Sequence, residues 1–263
     1  MLRFTTAGES HGPAILATVE GLPRGFSFPK EAINAELMRR QGGYGRGGRM
    51  RIERDEVEVL AGVNRNILTG APLVMIIRNR DARLDKAPRV TRARPGHVDL
   101  AAALKYGEVD ARDFIERASA RETAARVMIG ALCSSYLQSF DIHAFAYVRS
   151  IGDIVANKVA LEPQDMQALA ATRNASAFYT IDNSRDGEMK AAVDRAKADG
   201  DTLGGVAEIV IFGLPPGLGR HTQWDLRLDG NIARASMSIQ SVKGVEIGMG
   251  FEAARCRGRG KHF

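Results

Sequence analysis

The sequence predicts a mixed α/β domain, and three observations carry that prediction. Helical periodicity is clear in residues 116–130 and just beyond, where Ala124, Val127, Met128 and Ala131 recur on one face. Short, nearly continuous apolar runs at 71–77 and 204–212, bounded by turn residues, read as strands. No repeat, low-complexity linker or break in composition divides the 263 residues, a length that can bury a sizeable core.

Taken in order, the chain opens on Gly8-Glu9-Ser10-His11-Gly12, read as a loop, before an alternating strand at 15–19. Glycine on both sides lets the backbone approach a ligand, and histidine exchanges protons near neutral pH. Residues 30–40 read as a helix, with Ile33, Ala35 and Leu37 among charged residues, running into RRQGGYGRGGRMR. Formally Gly43, Gly45 and Gly48 spell G-x-G-x-x-G, but the dinucleotide fingerprint needs a strand before it and a helix after it. Here a helix precedes, and Met50 and Ile52 alternate into a turn near Arg54-Asp55, with Val57 and Val59 beyond, so a β-hairpin is expected. A flexible loop presenting Arg40, Arg46 and Arg49 to an anion is preferred to an RGG-type RNA-binding segment, which would be longer and unbracketed by structure.

The strand at 71–77 leads into an arginine-rich loop, 78–96, with almost nothing apolar; such a length is usually functional or disordered. It ends in Arg94-Pro95-Gly96-His97, which places His97 at the start of a helix over 98–106. In the central helix Ser119 and Glu122 form a Ser-x-x-Glu capping box, with Arg117 and Arg121 flanking the positive end of the dipole and Arg126 further along. Such a start suits a phosphate or carboxylate. Beyond it come a strand at 142–148, with His143 given no role, helices at 162–171 and 186–199, the strand at 204–212, a helix at 226–239 and a strand at 245–251.

Composition narrows the classes. Hydrophobic residues make up 44% and charged residues 26%, as in ordinary globular proteins, and no apolar run approaches membrane-spanning length. The N-terminus shows no signal-peptide core, and Cys133 and Cys256 lie far apart without metal-ligand spacing, which fits a reducing cytoplasm. A net charge of +6 and a pI near 9.5 point to an anionic partner. With aromatics at 6% and none interleaved with the arginines, a nucleic-acid surface ranks last.

Six segments in this order (GESHG, RRQGGYGRGGRM, RPGHVDL, ERASARETAARV, DGDTLGGVAEIV and SIQSVKGVEIG) resemble chorismate synthase. The resemblance implies a β-α-β sandwich, helices layered between antiparallel sheets, assembled as a homotetramer. It implies anti-1,4-elimination of phosphate from 5-enolpyruvylshikimate 3-phosphate to give chorismate, with reduced FMN as cofactor, NADPH as a reductant and no membrane or nucleic-acid partner. His11 matches the histidine that protonates or hydrogen-bonds the reduced flavin, and His97 the one that protonates the departing phosphate. Arg40, Arg46, Arg49, Arg94 and Arg121 match arginines enclosing the substrate, with Arg40 and Arg46 also matched to NADP binding. Arg117, Ala118, Ser119, Gln240 and Ser241 match flavin-binding positions.

The resemblance covers 1–254 and leaves 255–263 as an unrelated basic tail. The glycine-rich flavin loop, Lys-Pro-Thr segment and Arg-x-Asp pair that the family carries further on have no counterpart, which implies a C-terminally truncated member. The alternative is a truncated, non-catalytic flavin- or anion-binding homologue, or a subunit completed by another chain.

Overall fold

A computed structural model describes residues 2–47 and 52–258; Arg49 and the expected strand residue Met50 fall outside them. The chain separates into two compact units, Met1–Gly213 and Leu214–Phe263.

In the first unit, β1 (Arg3–Ala7), β2 (Ala14–Glu20), β3 (Glu58–Ala61) and β6 (Leu73–Arg78) form an antiparallel sheet in the order β1-β2-β6-β3. Between β3 and β6 a small hairpin, β4 (Val63–Asn64) and β5 (Ile67–Leu68), completes the segment. Alternation sets the faces: Ile15, Ala17 and Val19 of β2 and Leu73, Met75 and Ile77 of β6 all point into one core. That core is closed by α1 (Lys30–Gln41), through Ile33 and Leu37, and by α4 (Thr123–Gln138), through Ala124, Ala125, Met128, Ile129, Ala131 and Leu132. Small residues on α4 bring the two helices together, as alanine on a packing face allows. Cys133 packs against this cluster, and burial pushes its thiol up.

A second antiparallel sheet, in the order β8-β7-β9, comprises β7 (His143–Ile151), β8 (Ile154–Val155) and β9 (Gly205–Phe212). It is backed by α5 (Met166–Ala175) and α6 (Asp186–Ala198): Phe145, Tyr147, Leu169 and Ile181 form one cluster, and Ala156, Phe178 and Met189 another. Helix α4 packs on β2 and β6 and runs on into β7, and helices combined with antiparallel sheets agree with the expected fold class. Two short helices, α2 (Asp99–Tyr106) and α3 (Arg112–Arg117), stand before α4. No described helix is long and apolar enough to cross a membrane.

Three expectations need correction. The hairpin at 50–59 is not formed by the described residues: β3 pairs with β6, and 52–57 runs as coil with Ile52 exposed and Glu53, Asp55 and Val57 buried. The alternation expected from Ile52 is out of phase with the burial, since Ile52 faces solvent and the inward positions 53 and 55 carry carboxylates that meet the buried Arg121. Helix α4 does not start at Ser119. The chain ends α3 at Arg117, makes a 3₁₀ turn at Ala120–Glu122 in which Ser119 Oγ accepts the Arg121 N–H, and only then enters α4. In the second unit, helix α7 (Leu228–Met237) matches expectation, whereas 245–251 holds no strand. Gly248 and Gly250, at φ +61° and +52°, turn the backbone into a 3₁₀ segment at Gly250–Ala254.

Core packing gives a direct test. Leu37 is fully buried between α1 and α4 while its neighbour Met38 is 71% exposed. Leu37→Ala should lower unfolding free energy by about 2–5 kcal/mol in urea denaturation, and Met38→Ala should stay within about 0.5 kcal/mol.

Candidate active site around the His11 loop

The loop carrying His11 is held from three directions. Gly8 adopts φ +99°, where any Cβ would strike the Ala14 carbonyl, so the chain can fold back from β1 to β2 only with glycine there. From α3, Glu116 Oε2 accepts the His11 backbone N–H at 2.8 Å and lies 2.8 Å from the ring Nδ1 as well, while the Glu116 carbonyl accepts the Ser10 N–H at 3.0 Å. Arg112 Nη1 donates to the other carboxylate oxygen at 3.1 Å. Burial alone would raise the Glu116 pKa; the His11 and Arg112 hydrogen bonds outweigh it, and the carboxyl is held below its usual range. From the end of β6, Asn79 Nδ2 donates to the carbonyls of Glu9, Ser10 and Gly12, at 3.2, 3.2 and 2.7 Å.

Asn79 also links the loop to a buried charge cluster. Its Oδ1 accepts from Arg121 Nε at 3.0 Å, and Arg121 Nη1 donates to Asp55 at 2.8 Å. Arg121 Nη2 lies 3.8 Å from Glu53 and, buried, finds no hydrogen-bond acceptor among the described residues. Glu53 in turn accepts the backbone N–H groups of Arg80 and Asp81. Helix α1 pins the segment carrying both acids: Gln41 bonds the Glu53 carbonyl and the Asp55 N–H, and Asn34 accepts the Val57 N–H.

The other expected site residues divide by location. Arg40, half-buried, reaches the same cluster, donating to Thr123 Oγ1 and the Ala120 carbonyl at 3.1 Å each and lying 3.5 Å from Asp55. Arg117 is exposed at the end of α3 and donates to the Thr6 carbonyl and hydroxyl, both at 2.9 Å, beside the His11 loop. Ala118 and Ser119 follow it in the turn before α4, Ala118 exposed and Ser119 half-buried. Arg46 is exposed on the glycine-rich loop, its Nε donating to the Gly42 carbonyl. Arg94 and His97 flank the tight Pro95-Gly96 turn before α2; His97 is exposed, and Arg94 grips Asp99. Gln240 and Ser241 belong to the second unit, just after α7, with Ser241 at φ +70°.

The arginine-rich loop is held by its backbone groups and by side chains outside it. The Arg83 and Leu84 N–H groups donate to the His11 carbonyl, and further on Arg112 holds the Pro88 carbonyl while Asp110 accepts the Val90 N–H. Residues missing from the sequence reading are therefore Glu116, Asn79, Glu53, Asp55 and Asp99. All are buried and polar, a combination with no periodic signature; only their closeness to glycine- and arginine-rich motifs could have drawn attention to them.

Asp99 supplies a pH test. The Arg94 side-chain bonds, opposed by burial, pull its pKa from the usual 3.8 to about 2. A depressed carboxyl adds stability above its unfolded pKa and loses it as pH falls through the folded value. The stability gap between the native chain and Asp99→Asn should thus be full at neutral pH and shrink between about pH 4 and about pH 2, as read by urea unfolding at each pH.

Comparison with known proteins follows the same lines. A chorismate synthase family model matches residues 2–262. The chain is 48% identical over 274 aligned residues to a chorismate synthase of Geotalea daltonii, covering 100% of this chain and 69% of that relative. It is 49% identical to one of Geobacter sulfurreducens with the same coverage. A crystal structure of chorismate synthase superimposes with a TM-score of 0.84 at 41% identity, covering 99% of this chain and 73% of the other. A match that spans the chain in both sequence and fold places it in one lineage: this protein belongs to the chorismate synthase family.

Proposed function

We propose that the chain performs elimination of phosphate from 5-enolpyruvylshikimate 3-phosphate to give chorismate, with reduced FMN bound. A C–O bond to phosphate and a C–H bond break and a C=C bond forms, so the substrate loses phosphate and a proton without net oxidation. The observation that carries this reading is the buried Arg121 guanidinium, whose Nη2 has no hydrogen-bond acceptor among the described residues. A buried donor left unpaired costs about 1–3 kcal/mol, and an anionic oxygen of a ligand would satisfy it.

The donor set suits ligands that carry phosphate and carboxylates. Arg117, Arg46 and Arg94 are exposed, and each already has its guanidinium oriented by a carbonyl or carboxylate. Preorganised cations of this kind stabilise charge that develops as phosphate departs. In this assignment Arg40, Arg46, Arg49, Arg94 and Arg121 hold the substrate, and His97, exposed beside Arg94, gives a proton to the departing phosphate. Arg117, Ala118 and Ser119 hold FMN, and His11 faces it. When bound, reduced FMN supplies electron density that helps the phosphate leave. NADPH is the assigned reductant through Arg40 and Arg46, and a homotetramer in the cytoplasm is the assigned setting.

The test is anaerobic phosphate release from 5-enolpyruvylshikimate 3-phosphate with chemically reduced FMN. His11→Ala and His97→Ala should each lower kcat by about 10²–10⁴-fold, the usual range for a positioned proton donor. FMN binding without phosphate release by the unaltered chain would favour the non-catalytic flavin or anion binder. Turnover appearing only with a second polypeptide would favour a subunit completed in trans.

A further inference from the structure

We propose that Glu116 is the positioning residue for His11: it fixes the ring as the Nδ1–H tautomer and so makes Nε2 the atom offered to the reacting ligands. The assignment rests on His11 facing those ligands, as proposed above, and its evidence is geometric. Glu116 is 2% exposed, on the last turn of α3. One oxygen of its carboxylate receives both the His11 backbone N–H and Nδ1 at 2.8 Å. Since the backbone N–H can only donate, that oxygen is an acceptor, and the ring nitrogen beside it must carry a hydrogen.

The second oxygen is taken up by Arg112 Nη1 at 3.1 Å, which prevents the carboxylate from swinging away and keeps it ionised. The rest of the loop cannot adjust either, because Asn79 holds three of its carbonyls and Ser10 donates to the Glu116 main chain. On the opposite edge of the imidazole, Nε2 lies 3.6 Å from an Asp81 carboxylate oxygen, and Asp81 is itself drawn toward Arg83 Nε at 3.1 Å. Asp81 is thus near enough to favour a proton on Nε2 but does not hold the ring as Glu116 does. When protonated His11 gives up its Nε2 proton, the Nδ1 proton stays on Glu116's side. The neutral ring is left with its Nε2 lone pair on the Asp81 side, ready to take a proton back. Which ring nitrogen bears the hydrogen is set by the partner of the other, and here the stronger partner is Glu116.

The experiment uses the full chain with ¹⁵N-labelled histidine and long-range ¹H–¹⁵N correlation, at a pH where the imidazoles are neutral. The His11 signals are identified by their loss in His11→Ala. The expected spectrum shows a protonated Nδ1 and a lone pair on Nε2. Glu116→Gln, whose amide oxygen can replace the accepting carboxylate oxygen, and Asp81→Asn should both keep that pattern, whereas Glu116→Ala should move the hydrogen to Nε2, toward Asp81. A wild-type ring protonated at Nε2, or one still protonated at Nδ1 in Glu116→Ala, overturns the proposal. Should Glu116→Ala fail to fold, the wild-type spectrum decides alone. In the anaerobic assay Glu116→Ala should lose about 10–100-fold in kcat with little change in KM, and Glu116→Gln should recover most of it. The expected tautomer in a chain that releases no phosphate would sink the functional reading and leave the positioning role standing.

Discussion

The buried amide of Asn79 is the interaction on which the rest of the site depends. Its nitrogen gathers the carbonyls of Glu9, Ser10 and Gly12, and its oxygen faces Arg121 Nε. An amide is suited to this place because it presents donors on one side and an acceptor on the other. A carboxylate would repel the carbonyls, and a hydroxyl could not span both partners. Through this side chain the His11 loop is tied to Arg121, then Asp55, then the end of α1, so one polar chain runs beneath the surface from loop to core. Networks of this kind are rigid when every member is paired; among the described residues Arg121 Nη2 is a buried donor without an acceptor, the place that the proposed function gives to a ligand oxygen.

The charge of the molecule is distributed by the same logic. The chain carries a net +6, yet its described buried charged residues are mostly acids: Glu53, Asp55, Asp99, Glu116 and Glu122, against Arg121 and Arg173. Each acid is met by a guanidinium, from Arg121, Arg94, Arg112 or Arg126, and several also receive backbone N–H groups. Burying a charge without such partners would cost several kcal/mol. The acids therefore use up the inward-facing arginines and orient them, while Arg46 and Arg117 remain exposed at the loops where an anion would arrive.

How much of this could be read from sequence follows from which interactions leave a periodic trace. Helices α1, α4 and α6 and strand β2 were legible because burying one face forces a 3.6- or 2-residue apolar rhythm, and β6 and β9 because short apolar runs end at turn residues. The order of strands was not, since register between distant segments such as β2 and β6 leaves no local mark. Residues 52–57 alternate in burial, but their inward positions hold Glu53 and Asp55, and a carboxylate reads as solvent-facing until its buried partner is known. The strand expected at 245–251 failed for a local reason, two glycines in left-handed conformations. Within the candidate site, Arg117 lies beside the His11 loop, Arg121 is tied to that loop through Asn79, and Arg40 reaches Asp55, the partner of Arg121. The groups that hold them, Asn79 and Glu116, are single polar residues in unremarkable surroundings, and only the fold brings them there.

The most direct measurement of this account is hydrogen exchange in Asn79→Ala. The Ser10 amide is bonded to the Glu116 carbonyl and the Gly12 amide to the Glu9 carbonyl, so both report on the loop itself. If Asn79 holds the loop, these amides should exchange at least about tenfold faster, corresponding to a loss of about 1.4 kcal/mol or more. Amides in the middle of α4, around Met128, should change no more than global stability does. Unchanged protection at Ser10 and Gly12, in a variant that has lost the amide, would contradict the account and leave the loop held by Glu116 alone.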